Sequence, residues 1–253
     1  NSAPGCDGRS YEAFMNSHPA EAENASIDFV VEAVRQTGCR AHILHLGSAG
    51  AVDSIRRAKA EGLPITVETA PHYLTFDAEE IPDGATEYKC CPPLRGHDNR
   101  MGLWKALQEG VIDLVASDHS PSTAELKHLD TGDFGAAWGG ISSVQLGFSA
   151  VWTEGRKLGA SLGDVARWQG ANPAATVGLA GKGSIEVGAA ADLVAVAPDE
   201  TFVVDKDKLF HKNPVSPYHG KELAGVVKAT WLAGEPVEPY GPARGREITR
   251  DNK

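Results

Sequence analysis

Val115-Ala116-Ser117-Asp118-His119-Ser120-Pro121 is a stretch in which an apolar run stops at a carboxylate. Residues 111–116 read as a strand, and Ser120-Pro121 as the loop beyond it. In a β/α barrel this junction is the catalytic mouth, because reactive side chains are delivered there by strand ends. An Asp at that point can bind a cation and move a proton. Upstream, Ala41-His42-Ile43-Leu44-His45-Leu46 reads as a second strand, ending in a His just before Gly47-Ser48. One His and one Asp at two strand ends are the beginning of a metal site, and not a whole one.

Working outward, the same alternation recurs. Pro19-Ala20-Glu21 opens a helix with Ile27, Val30, Val31 and Val34 on one stripe and Gly38 as its stop. A helix over 50–61, closed by Gly62, leads to the β-branched run Ile65-Thr66-Val67-Glu68-Thr69. A helix around 100–108, ended by Gly110, leads into the strand at 111. Strand and helix in turn are the rhythm of a parallel α/β sheet. The count is three core strands plus a shorter extended segment at 87–90. Residues 1–18 are polar and read as a loop. Helices at about 142–157 and 161–168 lead to Asn172-Pro173-Ala174. Short strands then follow, at Gly183-Ser184-Ile185, Asp192-Leu193-Val194-Ala195-Val196, Phe202-Val203-Val204, 226–230 and Trp231-Leu232-Ala233-Gly234. Short strands with Gly and Pro turns read as one face of a small sandwich. The chain therefore divides into part of a β/α barrel, 1–180, and part of a β-sandwich with a tail, 181–253. A parallel sheet needs both faces covered. Three strands and part of a sandwich do not close a fold, so the chain either completes itself with another molecule or, the favoured expectation, is the C-terminal part of a longer protein.

At 253 residues and a net charge of −10, nothing basic is concentrated enough to attract phosphates, which argues against nucleic acid and anionic membrane as partners. Cys6, Cys39, Cys90 and Cys91 form no C-x-x-C pair, so neither a disulfide framework nor a zinc finger is suggested, and a reducing cytoplasm fits best. No apolar run approaches the roughly 18–20 residues that span a bilayer. Asn1-Ser2-Ala3-Pro4-Gly5 has neither the basic patch nor the apolar stretch of a signal peptide. The chain does not begin with Met, which leaves its start open upstream. No G-x-G-x-x-G follows a strand, leaving no dinucleotide or P-loop reading.

Several residues could carry chemistry. By strand alternation His42 and His45 face opposite sides. His45, at the strand end on the face of Ala41 and Ile43, is the ligand candidate, and His42 is expected to pack or hydrogen-bond under the outer helix. A lone strand His more often packs than ligates, and an Asp at a strand end often caps the next turn. His72, in Ala70-Pro71-His72-Tyr73-Leu74, lies near the same mouth or serves the fold. Glu68, if inward, needs a partner. Cys90-Cys91-Pro92-Pro93 is a stiff turn with no activating base in view. Trp138-Gly139-Gly140-Ile141 reads as a loop opening a helix, either letting a ligand approach the backbone or simply making a tight turn.

Together these segments resemble the C-terminal part of a cyclic amidohydrolase, and within that superfamily the allantoinase family, from about Tyr11 to about Val237. The strings Pro71-His72-Tyr73-Leu74, Ser117-Asp118-His119-Ser120-Pro121 and Trp138-Gly139-Gly140-Ile141, in this order, carry the likeness. Lys89-Cys90-Cys91-Pro92-Pro93-Leu94-Arg95 and Val215-Ser216-Pro217-Tyr218-His219-Gly220 extend it. The resemblance implies a (β/α)8 barrel of the TIM type with a small composite sandwich and a binuclear metal centre, usually two zinc ions. His45 becomes the metal-binding His of barrel strand six. Asp118 becomes the metal-binding Asp of strand eight and the catalytic proton carrier. Cys91, Gly139 and Gly140 become substrate-binding positions. The family's His-x-His pair, bridging carboxylated Lys and strand-five His have no counterpart here. His18-Pro19 stands where Arg-Pro is usual, and Cys91 where Ser or Ala is common. The implied reaction opens the cyclic amide of allantoin to allantoate, in a cytoplasmic homotetramer. The rival readings are a hydantoinase or dihydropyrimidinase, and a non-catalytic scaffold related to dihydropyrimidinase.

Overall fold

The computed structural model of the chain describes residues 8–248. Three parallel strands, β1 (Ala41–Ile43), β2 (Ile65–Thr69) and β3 (Leu114–Val115), form one sheet in the order β1-β2-β3. Ala41 pairs with Ile65, Ile43 with Val67, and Thr69 with Val115. In β2 the buried residues Ile65, Val67 and Thr69 alternate with half-buried Thr66 and Glu68, so one face packs under helices and the other faces the barrel interior.

The strands are shorter than the apolar runs. β3 begins only at Leu114, because Asp113 pairs partly through its side chain: its carboxylate accepts from Val67 N at 2.7 Å and from Lys59 Nζ at 2.6 Å. β1 ends at Ile43, after which His45 takes a left-handed backbone, although Leu46 N still reaches Glu68 O at 2.8 Å. The segment 87–90 is not a strand; a single turn of 3-10 helix occupies Thr86–Tyr88.

The expected loop over 1–18 contains a helix, α1 (Tyr11–Asn16), capped by Ser10, whose side chain accepts from Ala13 N. Residues 1–7 of that segment, Cys6 among them, lie outside the described residues. Tyr11 and Phe14 set this helix on Phe134, at ring distances of 5.3 and 5.7 Å. The outer layer comprises α2 (Ala20–Thr37), α3 (Val52–Ala60), α4 (His97–Gln108) and α5 (Gly147–Lys157). α2 buries Ile27, Val31 and Val34 and closes at Gly38, whose φ of 70° suits glycine. α4 supplies Trp104, fully buried, whose indole donates to Leu74 O at 2.9 Å.

α5 starts later than the expected 142, since Ser143 is engaged with the strand end. The helix expected at 161–168 is α6 (Leu162–Ala166), begun by a reciprocal Ser161–Asp164 cap. A wide π turn at Arg167–Ala171 then runs into α7 (Asn172–Thr176). The tail holds two long antiparallel strands, β4 (Leu193–Val203) and β5 (Glu222–Leu232), and short β6 (Glu235–Pro236). The irregularity between Ala197 and Thr201, around Pro198, is what broke β4 into pieces in the sequence, and 183–185 is not a strand. This second sheet docks on α5. Thr153 Oγ1 accepts from Ala224 N, Ser149 Oγ donates to Gly225 O and Trp152 Nε1 donates to Pro198 O, each at 2.8 Å. Leu223 and Ala224 thereby join the barrel's core. Among the described residues no helix is long and apolar enough to cross a membrane.

Candidate active site at the strand ends

His45 follows β1 and Asp118 follows β3, so parallel strands bring both to one end of the sheet, with β2 between them. Both adopt left-handed backbone, with φ of 36° and 44°. That region is uncommon for non-glycine residues and is held only where the surroundings enforce it. Behind His45, the Glu23 carboxylate accepts from Gly47 N at 2.8 Å and Ser48 N at 3.0 Å. Asn99 accepts from Ala49 N and donates to Gly47 O, both at 2.8 Å. Two helices thus clamp the turn after β1. Around Asp118, Ser143 Oγ donates to Ser117 O, and Ser143 N donates to His119 Nδ1 at 3.0 Å. The strain sits between these two fixed frames.

His72 completes the grouping from the 3-10 turn Pro71–Leu74 that follows β2. It is 0% exposed, and its Nε2 lies 3.8 Å from Asp118 Oδ2. Among the described residues neither ring nitrogen has a hydrogen-bond partner. Burial first, then the charges of His45 and Lys127, push the imidazole down to a pKa of about 3, so it is neutral. Asp118 is shifted upward by burial; His45 opposes that shift and Glu68 adds to it. Among the described residues nothing donates a hydrogen bond to its carboxylate, and the side chain is 32% exposed. It is open to a ligand.

The alternation argument misplaced His42. Strand geometry ends at Ile43, so His45 is aimed by its own left-handed turn and not by counting from Ala41. His42 lies on the barrel-interior face, bonded to Thr66 Oγ1 at 2.7 Å and to Glu68 Oε2 at 3.0 Å. Glu68 has its partner there.

Cys91, Gly139 and Gly140 come together. A methyl group on Gly139 would touch Cys91 Sγ at 3.6 Å, and Gly140 N donates to Lys89 O at 2.9 Å. Gly140 has φ 149°, and a β-carbon there would collide with Ser120 Oγ, so glycine is required by the packing. The loop does not open a helix; Ile141 instead bridges in parallel to His119. Burial raises both thiols, Cys90 to about 12, so neither is an activated nucleophile. Two buried ammonium groups went unnoticed in the sequence. Lys127 Nζ donates to Lys89 O at 2.9 Å, and Lys89 Nζ donates to Ala137 O at 2.6 Å. Their sequence neighbours, Glu87 beside Lys89 and Glu125 and His128 beside Lys127, gave no sign of that burial.

A model described as "Amidohydrolase family" matches residues 9–237. The chain is 51% identical to an allantoinase of Streptomyces avermitilis, over 98% of this chain and 56% of that protein. It is 43% identical to an allantoinase of Arabidopsis thaliana, over 91% of this chain and 48% of that protein. The chain thus spans about half the length of the curated relatives it matches. Among solved structures, an L-hydantoinase (dihydropyrimidinase) from Arthrobacter aurescens superposes with a TM-score of 0.83 at 28% identity, covering 92% of this chain and 52% of that one. The partial β/α barrel, its two-sheet organisation and the matched span give one conclusion: the chain belongs to the amidohydrolase family.

Proposed function

We propose that this chain is the strand-six-to-eight and sandwich part of a metal-dependent hydrolase that opens cyclic amides, with allantoin to allantoate as its reaction. The observation that carries the reading is the convergence of His45, His72 and Asp118 at the C-terminal ends of three parallel strands. The names of the sequence relatives support allantoin as the substrate.

His45 and Asp118 fit a divalent cation. They are an imidazole and a carboxylate at one mouth, and neither is hydrogen-bonded within the described residues. Among the described residues no group of three or more His, Cys, Asp or Glu side chains could hold a metal ion by itself. When bound, the metal, in the family two zinc ions, supplies Lewis acidity and a hydroxide at neutral pH. Asp118 takes the proton of the attacking water and passes it to the leaving ring nitrogen. Its desolvated setting keeps the carboxyl easier to protonate than an exposed one, which suits that exchange. Cys91 and the Gly139-Gly140 pair border the ring, the glycines leaving backbone groups within reach of it.

The two sheets occupy separate stretches of chain, which supports a division near residue 180. Exposed Val194, Val203 and Val227 on the second sheet support a homo-oligomer, a tetramer by resemblance. The free thiols Cys39, Cys90 and Cys91 support a reducing cytoplasm.

The hydantoinase reading draws on the solved structures, the allantoinase reading on the higher sequence identity. The protein encoded by the complete reading frame, loaded with zinc, decides between them. Turnover of allantoin with little on hydantoin or dihydrouracil supports the proposal. The reverse preference supports the rival, and no turnover of any of the three supports a scaffold.

A further inference from the structure

We infer that His72 is a positioning residue for Asp118, its Nε2–H donating to Asp118 Oδ2 during turnover and leaving the other oxygen free for the proton in transit. The inference rests on the proposed role of Asp118.

His72 is completely buried, yet both of its ring nitrogens lack partners. Leaving a buried polar group unpaired costs free energy, and an apolar side chain of similar size would be better if packing were its whole purpose. The ring cannot relieve this by moving. Its turn is fixed by Tyr73 N to Ala70 O at 3.1 Å and by Phe76 N to His72 O at 3.1 Å. The Tyr73 ring covers it at 4.4 Å, and the Tyr73 hydroxyl is itself tied to Pro92 O at 2.7 Å.

The movable partner is Asp118, partly exposed and with no hydrogen bond to its carboxylate among the described residues. The 3.8 Å between Nε2 and Oδ2 is about 1 Å longer than a hydrogen bond, a gap that a side-chain rotation closes. A neutral imidazole carries one ring proton. Asp118 Oδ2 lies 3.8 Å from Nε2, so donation to it calls for the ring proton on Nε2. Held in that way, a carboxylate offers one defined oxygen to the reaction. Groups that orient a metal ligand in this manner typically change activity by about 10–100-fold.

The test uses the complete protein with His72→Leu, His72→Gln and His72→Asn. The Gln amide N–H reaches the position of Nε2, whereas the Asn amide reaches only that of Nδ1. The expected result is a kcat loss of about 10–100-fold in His72→Leu and His72→Asn, with KM and zinc content near wild type. Substantial recovery is expected in His72→Gln. Unchanged kcat in His72→Leu, or no better activity with Gln than with Asn, overturns the inference. If His72→Leu does not fold, the Gln and Asn pair decides alone. An independent readout is the imidazole 15N spectrum of the complete protein, without substrate or metal. A proton on Nε2 supports the assignment, and one on Nδ1 overturns it even if the protein hydrolyses none of the three ring substrates. Failure of hydrolysis by the wild type counts against the proposed function, and the spectrum still decides the His72 assignment.

Discussion

Thr153→Val tests how the second sheet is fastened to the barrel. Thr153 Oγ1 is the acceptor for Ala224 N at 2.8 Å, and both residues are buried, Ala224 at 1% exposure. At this level β5 has β4 on one side only, because β6 pairs with it only at Trp231 and Leu232. The helix hydroxyl therefore caps a strand edge that would otherwise be buried unpaired. Valine keeps the volume and has a similar helix propensity, so neither a cavity nor a helix penalty enters. The lost bond to Ser149 O matters little, since that carbonyl lies within the helix. What remains is one buried N–H without an acceptor, worth about 1–3 kcal/mol. Ser149→Ala should cost less, on the order of 0.5–1 kcal/mol, because alanine's helix propensity offsets part of the bond lost to Gly225 O. Urea unfolding of wild type and both variants measures this through the midpoint at constant slope. A Thr153→Val midpoint equal to wild type, or a larger loss in Ser149→Ala, refutes the argument that strand-edge satisfaction holds the sheet.

Other expectations concern the site and its frame. In the complete protein, Asp118→Asn should keep most of the metal and lower kcat by about 10²–10⁴-fold, as loss of a proton carrier does. Cys91→Ser should remain close to wild type in kcat, since that thiol is shifted upward from its ordinary value and no covalent step uses it. Gly140→Ala, which drives a methyl against Ser120 at φ 149°, should lower stability by about 1–3 kcal/mol, read from the melting temperature and denaturant midpoint. The hydroxyl and backbone N–H of Ser161, and then Arg167, hold Asp164 down at about 2. A depressed carboxylate contributes stability that is complete above its unfolded value near 3.8 and is lost as pH falls toward 2. The difference in melting temperature between wild type and Asp164→Asn should therefore be constant above about pH 4 and shrink below it.

The order of elements was readable because the α2 stripe and the β-branched run at Ile65–Thr69 have clean periods and glycine stops. The ends of β1 and β3 were not, because Asp113 replaces a backbone acceptor with a carboxylate and His45 leaves the extended region. Counting alternation past that point put His42 on the wrong face. Helix α1 is too short to show a period, and its burial comes from Phe134, far along the chain. In the site, His45 and Asp118 were legible as polar residues closing apolar runs. The link between His72 and Asp118 was not, since only the pairing of β2 with β3 brings them together. Glu23 gave no signal at all; a helix carboxylate that serves backbone N–H groups across a turn looks like any solvated glutamate.

The rim of the mouth, residues 116–146, contains almost no regular structure, but its backbone is tied down. Ser120 N, Trp138 N and Gly140 N all donate within it or to Lys89 O, and the Lys127 and Lys89 ammonium groups reach across it to carbonyls. Those amides should exchange with deuterium as slowly as helix-interior ones, and a protease should find few cutting sites there. A rim of this kind sorts molecules by shape, as a fixed aperture would. A change of substrate preference would then come through side-chain replacement around the opening, not through retuning of a hinged flap.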